Sequence, residues 1–175
     1  MSELLTHTKL RKAYLISEEI PHDTTGKIYA VHFKIITEIC SNESTFHESQ
    51  FAIFTEYLKE EEIEQIKNTK ENSLYIRLEQ QRPLVSFCLE NKIPFFSIHD
   101  RGWYGNNKIR SERYISYFLE KYYSFPEELQ EKISPIILVG MPHKEDFQNF
   151  LKEFGFQVFY KDIFKEKLSE LSPSF

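Results

Sequence analysis

The stretch Pro135–Tyr160, PIILVGMPHKEDFQNFLKEFGFQVFY, decides the fold class. Pro135 to Val139 is a short apolar run of strand length. His143 to Phe154 then places Phe147, Phe150, Leu151 and Phe154 at i, i+3, i+4 and i+7, the apolar stripe of an amphipathic helix. Gly155 sits where a helix C-cap belongs, and Phe156 to Tyr160 reads as a second strand. A strand, a crossover helix and another strand form one unit of a parallel sheet.

The same alternation runs upstream. Ser73 to Leu78 reads as a strand and Arg82 to Asn91 as a helix, with Pro83 in its first turn, where proline is tolerated. Pro94 to Ile98 is an apolar strand. Lys108 to Tyr123 is a helix with Tyr114, Ile115, Phe118, Leu119 and Tyr122 on one side, and Pro126 to Ile133 adds a short helix. This order predicts an α/β fold, a three-layer αβα arrangement with a mostly parallel sheet over about residues 73–160. Residues 45–67 favour a helix ending near Asn68, although Phe51-Ala52-Ile53-Phe54 also suits a short strand. Towards the N-terminus, Ala13 to Ile20 reads as a strand closed by the turn residues Pro21 to Gly26. Lys27 to Cys40 alternates, with Tyr29, Val31, Phe33, Ile35 and Ile39 opposite His32, Lys34 and Glu38. It is expected to be a long strand in an antiparallel N-terminal extension. A C-terminal helix is expected around Phe164 to Leu171.

At 175 residues, the chain fits one domain, 1–175, with a single sizeable core. Its 16 Phe and 10 Tyr predict a core of aromatics and Ile. The net charge of −5 and pI near 5.7 disfavour general binding to duplex nucleic acid. The nearest basic set, Lys108, Arg110, Arg113 and Lys121, is interrupted by Glu112 and Glu120. Cys40 and Cys88 lie in apolar runs without the Cys-x-x-Cys pair of a structural zinc site, and they read as buried free thiols of a reducing compartment in preference to a disulfide. Met1 to His7 has no basic-then-apolar pattern, and no stretch approaches the roughly 18 apolar residues of a membrane span. The expected location is the cytoplasm. Nothing indicates a particular cofactor.

In open α/β sheets, ligands bind beyond the carboxyl ends of the strands. Three polar loops follow expected strands there: Glu79 to Arg82, His99 to Asn107, and Gly140 to Glu145. The middle one is the richest. His99 titrates near neutrality and Asp100 supplies a carboxylate; Arg101 has the fork that grips phosphate or carboxylate, and Trp103 with Tyr104 offers a stacking wall beside Asn106. His143 would start the helix whose free N–H groups suit an anion, and Glu79 and Arg82 would contribute from the first loop. No metal ligands are assigned. The plainer alternative is a nine-residue surface turn, a helix start at Pro142-His143, and a solvated helix start at Glu79 and Arg82.

The Gly-rich phosphate and dinucleotide motifs, the Gly-x-Ser-x-Gly elbow and His-Glu-x-x-His are all absent. Ile137 to Val139 with Phe150 to Phe156 resembles the closing strand–helix–Gly-Phe–strand of acetyl-CoA-dependent acetyltransferases, over about twenty residues. The pyrophosphate loop of those enzymes has no counterpart in His99 to Trp103. The first functional expectation is therefore an enzyme acting on a small anionic substrate, a nucleotide or phosphorylated metabolite, through His99, Asp100 and His143. Arg82, Arg101, Trp103, Tyr104, Asn106 and Glu79 would bind the ligand. The alternative is a protein-binding module, such as an inhibitor, immunity-type or adaptor protein, using the Trp103/Tyr104 loop. A weaker one is a metal-dependent nuclease built on Asp100, Glu79 and Glu145.

Overall fold

The computed structural model describes residues 11–18, 27–42, 50–71, 73–99 and 106–162. In chain order the elements are β1 (Arg11–Glu18), α1 (Lys27–Asn42), β2 (Gln50–Thr55), α2 (Glu60–Asn68), α3 (Ile76–Glu90) and β3 (Phe95–Ser97). They continue with α4 (Asn107–Tyr123), α5 (Glu127–Gln130), β4 (Ile133–Gly140), a single 3-10 turn (Met141–His143), α6 (Lys144–Glu153) and β5 (Phe156–Asp162). The fold is α/β, with one five-stranded sheet in the order β3-β2-β4-β1-β5, and every ladder is parallel. No described helix is long and apolar enough to cross a membrane.

Side-chain alternation divides the core in two. Tyr14 and Ile16 of β1 join Phe51, Ile53, Ile136 and Leu138 in one cluster, which also takes Ile35, Ile36 and Ile39 of α1, Ile63 of α2, and Leu78, Leu84 and Val85 of α3. Ala13 and Leu15 join Phe54, Ile137 and Val139 in the other, with Tyr114, Phe118 and Tyr122 of α4 and Phe147 and Leu151 of α6. The connections explain the division. From β1 to β2 to β3 the chain moves towards one edge through α1, α2 and α3; from β3 to β4 to β5 it moves back through α4 and α6. Crossovers of one hand that travel in opposite directions lie on opposite faces.

Three expectations need correction. Lys27–Asn42 is a helix rather than an antiparallel strand. Its buried residues are His32, Ile35, Ile36, Ile39 and Cys40, spaced i, i+3, i+4, i+7 and i+8. His32 thus lies inside the core and not on a wet strand face. Among the described residues there is thus no antiparallel extension, and β1 sits within the sheet, parallel to both β4 and β5.

Ser73–Leu78 is no strand: α3 begins at Ile76, with Tyr75 82% and Ile76 76% exposed. Pro83 therefore falls in mid-helix, where it removes the N–H that would bond to Glu79. Residues 50–55 form the short strand, the lesser of the two readings, whereas the helix ending at Asn68 is as expected. The expected helix at 164–171 lies outside the described residues.

Elsewhere the expected elements are present. Gly155 ends α6 with φ +92°, the left-handed cap that glycine adopts without strain. Pro135 is accommodated in central β4 because β1 joins that strand only from Ile136 onward. Cys40 and Cys88 are free and buried, and burial pushes their thiols up to about 11 and about 12.

Candidate functional site

β2 and β4 are neighbours whose outgoing connections leave in opposite directions, the change of strand order beside which ligands bind in open α/β sheets. The residues delivered there form one cluster. Glu56 follows directly on β2, Gly140 ends β4, His143 closes the 3-10 turn after it, and His99 stands two residues past β3. The first two turns of α4 contribute Arg110, Ser111 and Tyr114.

Glu56 is the centre of the cluster. Its Oε1 accepts the Gly140 N–H at 2.8 Å, and its Oε2 is buried with no hydrogen-bond partner among the described residues. That oxygen lies 3.8 Å from His143 Nε2, too far for a formed hydrogen bond. Burial raises the Glu56 carboxyl to about 7, against the opposing pull of the Gly140 N–H and of the Arg110 guanidinium. His143, only 2% exposed, is pushed the other way. Burial and Arg110 bring it down to about 4, and Asp146 and the Asn107 carbonyl only partly counter them. At neutral pH the imidazole is therefore neutral, and a proton shared by this pair belongs to Glu56.

The surrounding contacts fix the geometry. His143 Nδ1 is 2.9 Å from Ser111 Oγ, and the Tyr114 ring packs edge-on to the imidazole with centroids 5.0 Å apart. Arg110 donates to the Tyr114 hydroxyl at 2.9 Å while lying over that ring. His99 Nδ1 is 2.8 Å from the Glu56 carbonyl. A carbonyl only accepts, so this nitrogen carries the proton and His99 Nε2 is left as the acceptor. His99 is half-buried and also lines a small cleft with Lys59, Glu60, Ser97, Tyr117 and Lys121.

Of the residues singled out from sequence, the structure brings His143 to the Glu56 carboxyl and His99 to the Glu56 backbone carbonyl. Asn106 lies nearby as the N-cap of α4, its side chain accepting the Lys108 N–H at 2.8 Å. Glu79 and Arg82 are elsewhere, because the strand expected to precede them is part of α3. Arg82 grips Glu79 through two nitrogens, at 2.7 and 3.1 Å, and donates to the Ile66, Thr69 and Lys70 carbonyls at the end of α2. That pairing holds the Glu79 carboxyl down at about 2. Asp100, Arg101, Trp103 and Tyr104 fall outside the described residues. Among the described residues, no group of three or more His, Cys, Asp or Glu could hold a metal.

Glu56, Arg110 and Ser111 were not singled out as site residues from sequence. The signal for Glu56 was present: a carboxylate stands two residues past the apolar run Phe51 to Phe54, which counts only once that run is read as a strand. Ser111 gave no signal, since a serine in a helix is ordinary. Comparison with known proteins returned no match to a family model, a curated protein or a solved structure.

Proposed function

We propose that the protein is an enzyme acting by acid/base chemistry on a small anionic substrate, a nucleotide or another phosphorylated metabolite, in the crevice between β2 and β4. The observation that carries this reading is the buried Glu56 carboxyl at the carboxyl ends of β2 and β4: its Oε2 has no hydrogen-bond partner among the described residues and lies 3.8 Å from His143 Nε2, while His99 is held on the backbone carbonyl of the same residue. A carboxyl that titrates near neutrality suits a general acid or base at that pH. When protonated, Glu56 is a donor and does not repel an anion. Arg110 supplies the positive charge beside it, and His99, anchored on the Glu56 backbone carbonyl, offers Nε2 as an accepting nitrogen.

The proposal takes the sheet as the middle of three layers, with the substrate at its rim. It also leaves Asp100, Arg101, Trp103 and Tyr104 the parts expected of them: Arg101 to clamp the anion and the two aromatics to stack on a base. A thermal-shift panel of nucleotides and phosphorylated metabolites tests it. A true ligand at 100 times its dissociation constant stabilises by about 2.7 kcal/mol. Glu56→Gln is expected to keep the fold and abolish conversion of any compound that binds, and Arg110→Gln is expected to weaken binding. A wild-type protein whose melting temperature no anion of the panel moves would overturn the proposal.

A further inference from the structure

We infer that Ser111 is a positioning residue that holds His143 in the tautomer protonated on Nδ1, leaving Nε2 as the base that faces Glu56. The inference deepens the function proposed above and rests on it only for the direction in which the proton finally moves.

The hydrogen bonds carry the argument. Ser111 is fully buried, and its hydroxyl donates to the Asn107 carbonyl one helical turn back, at 3.0 Å. A hydroxyl has one proton, and here the carbonyl takes it. The remaining lone pairs of Oγ lie 2.9 Å from His143 Nδ1, so the imidazole must supply the proton for that contact. Tyr114, packed edge-on at 5.0 Å, keeps the ring in this orientation.

Nε2 is then unprotonated and 3.8 Å from Glu56 Oε2, the oxygen of that carboxyl that has no hydrogen-bond partner among the described residues. The two atoms can bond only through a proton that Glu56 brings. The charged groups acting on this pair are Arg110 from α4 and Asp146 from α6, and the Gly140 N–H from the end of β4 already occupies the other carboxyl oxygen. One proton therefore serves both residues. His143 receives it when Glu56 draws a proton from the substrate, and returns it when Glu56 gives one back. A serine that merely satisfied the helix carbonyl behind it would leave the tautomer of His143 unbiased.

The test is ring-¹⁵N NMR of the histidine-labelled full chain at neutral pH, with the His143 signals assigned by their loss in His143→Gln. Wild type is expected to show a protonated, pyrrole-type Nδ1 and a pyridine-type Nε2. An Nε2–H form in wild type overturns the inference, and this measurement needs no variant to fold. Ser111→Ala, checked for wild-type circular dichroism, is expected to shift the population towards Nε2–H, and Ser111→Thr to restore the wild-type spectrum. An unchanged tautomer in a folded Ser111→Ala protein also overturns it. Neither readout uses a ligand. An Nδ1–H imidazole in a protein that binds no anion would sink the proposed function alone, whereas anion turnover with an Nε2–H imidazole would sink this inference alone.

Discussion

At the scale of the residue, the same burial acts on Glu56 and His143 with opposite sign. Glu56 rises from 4.5 to about 7, so the folded state keeps a proton that the unfolded chain has released between those values. Its contribution to stability is complete below about pH 4.5 and is lost as pH rises towards 7. His143 falls from 6.5 to about 4 and His32 to about 3; their contributions are present above pH 6.5 and lost as pH falls through those lower values. In wild type these trends oppose one another over the acid range. Glu56→Gln removes only the first. Compared with wild type, the variant is expected to gain roughly 3 kcal/mol between pH 4.5 and pH 8. Urea midpoints at the two pH values measure this, and a difference independent of pH refutes the assignment of Glu56.

Lys92 poses a different residue-scale question. It stands just past α3 with φ +55°, in the left-handed region that side chains other than Gly and Asn disfavour, while the Ile93 N–H closes the turn onto the Cys88 carbonyl at 2.8 Å. Lys92→Gly is expected to stabilise the fold by about 0.5–1 kcal/mol, part of the relief being offset by the greater freedom of glycine in the unfolded chain. The check is a shift in the urea midpoint without a change in slope.

At the scale of the element, two close approaches decide where chemistry and fastening lie. A Cβ at Gly140 would come within 2.9 Å of Glu56 Oε1, the oxygen that the Gly140 N–H holds. Gly140→Ala is expected to displace the carboxyl, cost about 1–3 kcal/mol and move the titration of Glu56, which carboxyl-¹³C NMR would follow. Arg82 fastens α3 to the end of α2 by three carbonyl contacts, held in place by Glu79 one turn back on α3. Arg82→Ala leaves those carbonyls without their donor, and a loss of about 2 kcal/mol is expected on urea unfolding.

Two elements also show how local pattern misleads. In residues 27–40, every second position from Tyr29 to Ile35 is apolar, yet Ile35 and Ile36 are adjacent and both buried, which a strand with one wet face does not permit. The helical set His32, Ile35, Ile36, Ile39 and Cys40 contains a histidine, and that polar label hid it. In residues 73–78 the alternation is genuine in sequence, but Tyr75 and Ile76 face outward and only Leu78 is buried. Apolar spacing gave no warning, because it does not say whether a core lies opposite.

At the scale of the whole molecule, β1 links β4 to β5 in the interior of the sheet, and Leu15 at its middle has no exposed surface. Leu15→Ala is expected to cost about 3 kcal/mol, as large-to-small changes in a closed core do. A loss below 1 kcal/mol on urea unfolding would speak against a buried central strand.

The sequence by itself determined the α/β class, the strands β3, β4 and β5, and the helices α4, α5 and α6. Those elements carry their own punctuation: apolar runs of strand length, stripes at helical spacing, and Gly155 at a cap. The place of β1, the order of the strands and hence the change of direction at the β2–β4 pair came only from the folded chain, since a parallel ladder brings together residues far apart in the sequence. The site followed the same division. His99 and His143 were legible because each follows an apolar strand. Glu56 became a candidate only through burial and the 3.8 Å approach of His143, and Ser111 only through its hydrogen bond to Nδ1. Proton affinity depends on what surrounds a group in space, and local sequence does not record it.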